Sequence, residues 1–115
     1  MKQKTQLVNY LNVIKSTYDK QDWDKVKRLC ENAIKKLPAL SYSRPEEYQL
    51  YSMLGFAYHR LVKFSQSLNN HYKAYIIASK RNFEPQHIAF ASYNIGNNLL
   101  AMRNNDLALE QFLLV

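Results

Sequence analysis

Apolar positions recur along this chain at the spacing of helices, and no stretch alternates apolar and polar residues as a half-buried strand would. Leu7, Val8, Leu11, Ile14 and Tyr18 follow i, i+4, i+7, i+11 spacing, which predicts a helix over residues 5–20 with one apolar face. Asp19-Lys20-Gln21-Asp22 is a polar break. The short Asp22 carboxylate suits an N-cap, where it can accept from the free N–H groups of a first turn. The next helix, 23–37, places Val26, Leu29, Cys30, Ala33, Ile34 and Leu37 on one side, and Pro38 ends it. Ser41-Tyr42-Ser43-Arg44-Pro45-Glu46-Glu47 starts a third helix, with Ser43 or Arg44 before Pro45 and two acids where the helix dipole favours them. That helix runs to about Leu61, and Val62-Lys63 makes a tight connection to a fourth, from Phe64 to about Arg81. Asn82-Phe83-Glu84-Pro85 repeats the start signal for a fifth helix ending near Met102. Arg103-Asn104-Asn105-Asp106 reads as a last turn, and a sixth helix begins at Leu107. The fold class is all-α.

The pattern is periodic on a larger scale. Gly55 and Ser67 form a small-residue pair, with Leu54, Phe56, Ala57, Tyr58, Leu61, Phe64, Leu68 and Ala74 around it. A glycine inside a helix costs about 1 kcal/mol against alanine, so Gly55 implies a close crossing of two helices. The same arrangement returns 41 positions on, at Ile95, Gly96, Leu99, Met102, Ala108, Leu109 and Phe112. It also occurs one such interval before, more weakly, at Val13, Ile14, Trp23, Val26, Cys30 and Ala33. Val26, Ser67 and Ala108 are the evenly spaced anchors. The chain is therefore one repeat domain, 1–115, of units near 5–44, 45–84 and 85–115, the last incomplete.

Leu54-Gly55-Phe56-Ala57-Tyr58, followed by Leu61, Phe64, Ser67, Leu68 and Ala74, resembles a tetratricopeptide repeat (TPR). Ile95, Gly96, Met102, Ala108, Leu109 and Phe112 match the same pattern, and the first unit matches through Trp23, Val26, Ala33 and Pro38. Ile14 replaces the packing glycine, His71 stands where a core aromatic is usual, and Ser79 where proline is usual. The resemblance implies a right-handed α-solenoid of antiparallel helix pairs, its concave face lined by the first helix of each pair. The long period, set by Val26, Ser67 and Ala108, is similar to that of peptide-pheromone receptors of Gram-positive bacteria and their phages, the Rap, Rgg, PlcR and arbitrium-receptor types. Tyr93-Asn94-Ile95-Gly96-Asn97-Asn98-Leu99-Leu100 carries most of that likeness, although no helix-turn-helix or output bundle accompanies it.

What the resemblance implies is a protein- or peptide-binding module, the signalling-peptide-sensing part of a bacterial or phage transcriptional regulator in its sharpest form. By position the groove takes Asn12, Lys15, Tyr18 and Asp19 from the first unit. The second gives Gln49, Ser52, Phe56, His59 and Arg60, and the third Tyr93, Asn94, Asn97 and Ala101. Asn97 and Asn94 lead, because an amide side chain satisfies both the N–H and the C=O of an extended peptide. Arg60 could pair with a peptide carboxylate.

Composition narrows the alternatives. A net charge of +7 admits an anionic partner, and Lys25, Arg28, Lys35 and Lys36 share one face of the second helix as a candidate nucleic-acid stripe. Asp22, Asp24 and Glu31 dilute it, so a solvated outer face is the plainer reading. Catalysis and metal binding lack a pattern: His59, His71 and His87 have no ligand spacing, and Cys30 occupies a core position. No cofactor and no enzyme activity are expected. A lone cysteine, no signal peptide and no apolar span make cytoplasmic the default expectation, without membrane association. Phe112-Leu113-Leu114-Val115 leaves an apolar helix face uncapped, as expected of a fragment of a longer protein or of a homo-oligomer joined through that face. A purely structural or oligomerisation scaffold is the third alternative.

Overall fold

A computed structural model of the chain describes the backbone of residues 2–37, 44–80 and 84–114, and the side chains of 6–37, 45–80 and 84–103. The expected periodicities become helices α1 (Lys2–Asp19), α2 (Trp23–Lys36), α3 (Arg44–Arg60), α4 (Phe64–Lys80) and α5 (Pro85–Leu114), with no strand among the described residues. Each packs on the next in chain order, and α1 also touches α3. None is long and apolar enough to cross a membrane. The start signal at Ser43 and the helix stop at Pro38 lie outside the described residues.

Burial follows the helical period. α1 buries Leu7, Leu11 and Ile14, while α2 buries Val26, Cys30 and Ala33. Val8, expected on the apolar face, lies on its flank and is 39% exposed. Leu50, Leu54 and Ala57 of α3 close this first core. A second core joins α3, α4 and α5, and it is thin: Tyr48, Ala74, Ala78 and Ala91, with polar Ser67, Asn70, His71 and Asn98 also buried. Small side chains bring the α3 and α4 backbones together. The Ser67 hydroxyl donates to the Gly55 carbonyl at 2.5 Å, and the His71 ring stands 2.8 Å from where a Gly55 Cβ would be. Gly55 thus performs the packing role its cost implied.

The α1–α2 and α3–α4 turns have the same structure, 41 positions apart. In the first, Gln21 N–H donates to Tyr18 O at 2.9 Å and Asp22 N–H to Thr17 O at 3.4 Å. In the second, Val62 N–H donates to His59 O at 3.0 Å and Lys63 N–H to Tyr58 O at 2.9 Å. Both are Schellman caps, whose pivot is left-handed: Gln21 at φ 60° and Val62 at φ 62°. Each turn leads into a helix whose anchor amide, Val26 or Ser67, donates to the carbonyl of residue 22 or 63.

The third turn is not made, which corrects the expected break at Arg103–Asp106 and the expected sixth helix from Leu107. α5 runs unbroken for 30 residues, about 45 Å at 1.5 Å per residue, along a molecule 61 × 30 × 23 Å in extent. Local sequence forces no break: Asn104, Asn105 and Asp106 disfavour a helix by only about half a kcal/mol each, and neither glycine nor proline stands there. By the same register Arg103 would need the left-handed conformation, a cost that Gln21 and Val62 meet in the first two turns, where the following helix packs back on the one before.

Candidate binding groove

The first turn and the end of α3 build an open concavity. Tyr18 ends the apolar face of α1, Gln21 pivots the turn, Trp23 begins α2, and Phe56 and Arg60 are one turn apart at the end of α3. With Asp19 they line a hollow of about 370 Å³. Its floor is aromatic: the Tyr18 and Trp23 rings meet edge to face at 5.1 Å, Trp23 and Phe56 at 5.3 Å, and Tyr18 and Phe56 at 5.4 Å. Such contacts fix the rings beyond what burial alone supplies. The Arg60 guanidinium lies 5.7 Å from the Trp23 ring centroid, within cation–π range. Burial raises the Tyr18 phenol above its ordinary value, with Arg60 lowering it and Asp19 raising it, so the three groups share one electrostatic environment.

Of the thirteen residues expected to line a groove, the structure brings Tyr18, Asp19, Phe56 and Arg60 together here. Asn12, Lys15, Gln49, Ser52, His59, Tyr93, Asn94, Asn97 and Ala101 do not line this hollow. His59 instead faces α5, where its Nδ1 is 3.0 Å from Asn98 Oδ1. The Asn98 amide nitrogen donates to the Asn94 carbonyl at 2.9 Å, so the oxygen is the end that meets His59, and His59 donates from Nδ1. The buried asparagine of this stretch is therefore Asn98, 1% exposed, whereas Asn97 is half-buried and Tyr93 is 66% exposed. Lys15 and Asn12 are exposed on α1, and Gln49 and Ser52 half-buried on α3. The repeat register holds a signal for Asn98: it occupies the position of Ala57, which is fully buried.

His71 occupies the core as a neutral ring. Burial, with His59 nearby, lowers its pKa to about 4, and its Nδ1 has no hydrogen-bond partner among the described residues. Cys30 is fully buried and its thiol is pushed up to about 12 by burial and Glu31, which suits a structural side chain. The basic face divides. Lys25, Arg28 and Lys35 line a shallow hollow with Glu31 and Asn32, but Lys36 turns to the Tyr10 hydroxyl and lies over that ring at 4.6 Å. Among the described residues, no three His, Cys, Asp or Glu side chains gather as metal ligands would.

Compared with protein-family models, with curated proteins and with solved structures, the chain matches none of them.

Proposed function

We propose that this chain is a protein- or peptide-binding module built as a TPR-like α-solenoid, and that the Trp23 hollow receives part of the bound segment. The observation that carries this reading is the hollow itself: an aromatic floor rimmed by Arg60, Asp19 and Gln21 and open to solvent. Flat rings receive an apolar side chain at small entropic cost. A guanidinium pairs with a carboxylate through two parallel N–H bonds, and Gln21 and Asp19 can accept backbone N–H groups. The matching ligand is an extended segment with an aromatic or branched apolar side chain beside an acidic side chain or a C-terminal carboxylate. Recurrence of one turn geometry at Gln21 and Val62 supports a helical-repeat scaffold, in which neighbouring units cover one another's apolar faces. A sensor of a signalling peptide within a bacterial or phage transcriptional regulator is the narrower form of this function, supported by sequence resemblance.

Thermal melting tests the reading with a pool of random hexapeptides as probe and the same pool after protease digestion as control. A ligand that prefers the fold raises the melting temperature. The expected result is a rise that digestion abolishes and that Arg60→Ala reduces. An unchanged melting temperature at saturating pool would oppose it.

The cluster of Lys25, Arg28 and Lys35 favours a second reading, contact with nucleic acid, although Glu31 shares that hollow. Each phosphate neutralised steepens the fall of affinity with salt. Duplex DNA binding with no salt slope, or one unaffected by Arg28→Ala, would dismiss it.

A further inference from the structure

The exposed face of α5 around Gly96 repeats, 41 positions on, the face of α3 that α4 covers. On α3, Gly55 is buried under His71 and Tyr51 lies under Lys73 of α4, while Tyr58 lines a hollow with Asn70 and Lys73 of α4 and with Glu31, Ile34 and Lys35 of α2. The corresponding positions on α5 are Ser92, Gly96 and Leu99, and all three are exposed, with Leu100 adjoining them. Among the described residues nothing lies within 4 Å of where a Gly96 Cβ would be. A helix-interior glycine disfavours its helix, and among the described residues of one copy nothing packs against this one.

The residues suited to cover that face are in the chain. Ala108 stands at the position of Ser67, and Phe112 at the position of His71. Both follow Gly96 on the same unbroken helix, about 18 to 24 Å along its axis, so they cannot reach their own Gly96. Charge favours the meeting. All sixteen Lys and Arg but only seven of the nine Asp and Glu precede Asn104, so that part carries +9 and the remainder −2.

We infer that a second copy of this chain covers the Gly96 face: residues 107–114 of one copy lie against Ser92, Gly96 and Leu99 of the other, and reciprocally. Opening a turn into a continuous helix is a low-cost route to exchanging an identical element between two copies, here at the point where Arg103 would have pivoted. The interface is isologous and continues the register of the α3–α4 crossing. The repeat carries this inference, independently of peptide binding.

The test uses the full chain carrying Ser92→Cys and Leu114→Cys, the counterparts of the contacting pair Tyr51 and Lys73, oxidised at low concentration and run without reductant. Cys30, fully buried with its thiol pushed up to about 12, does not compete. A bond between copies is expected, together with sedimentation of the unaltered chain as a dimer. A bond within one copy would show that residues 103–106 bend into a third hairpin, and would overturn the proposal. So would a dimer without this bond, or a monomer at every concentration. As a separate check, Gly96→Leu should leave helix content unchanged and weaken dimerisation at least about tenfold, as loss of a central packing position does. Unaltered association would also count against it.

Discussion

Val62 is a β-branched, 67% exposed residue held at φ 62°, where its side chain gains little from packing and crowds its own carbonyl. Val62→Gly should stabilise the fold by about 1 kcal/mol and raise the melting temperature by about 4 °C. A drop in melting temperature would mean the turn is not left-handed there. His71 makes a second prediction. Its folded pKa of about 4 lies below the ordinary 6.5, so its contribution is complete above about pH 6.5 and is lost as the pH falls toward 4. The unfolded chain takes up a proton in that window that the fold excludes, at a cost of up to about 3 kcal/mol. Urea melts from pH 7 to pH 4 should show this loss, and His71→Phe should flatten it. These two residues are legible to different degrees. Gly55 and Ser67 announce a close crossing through size and spacing, whereas nothing in a valine foretells a left-handed backbone until its counterpart Gln21 is seen to share it.

At the scale of elements, the two equivalent turns differ in the residue that opens the following helix. The Asp22 carboxylate accepts from Lys25 N–H at 3.4 Å, and α2 begins with a cap and an acidic first turn. Its counterpart Lys63 has no acceptor in its side chain and puts a cation where the helix dipole is also positive. Asp22→Ala should therefore cost about 1 kcal/mol, and Lys63→Asp should gain a similar amount, both read from chemical denaturation. No gain at residue 63 would separate the two turns that the backbone hydrogen bonds make equivalent. Several helix starts are readable because Asp22, Pro45 with Glu46 and Glu47, and Pro85 mark them. The extent of α5 is not, because Asn104-Asn105-Asp106 is polar without being a helix breaker. A turn there has to be imposed by what the next segment packs against, and polarity alone does not impose it.

In the whole molecule, the first core is built mostly from large aliphatic side chains and the second from alanines, Tyr48 and buried polar groups, so the shape of the proposed hollow depends on how firmly α3 is held between them. The all-helical fold can be read from apolar spacing, since that spacing is what gives each helix a face to bury. The site is legible only in part. Repeat position points to Tyr18, Phe56 and Arg60, but it makes Trp23 a packing residue of the first unit and favours Asn97 over the buried Asn98. Both differences share a cause: a helical wheel gives direction, whereas the turn at Gln21 decides which rings meet across α1, α2 and α3. The only tryptophan in the chain lines the proposed hollow, which makes it a built-in reporter. The decisive measurement is Trp23 emission during titration with the hexapeptide pool, followed beside the melting temperature. A saturable change in emission is expected, removed by protease and weakened by Arg60→Ala. A rise in melting temperature without any change in Trp23 emission would place the ligand elsewhere and contradict binding in this hollow.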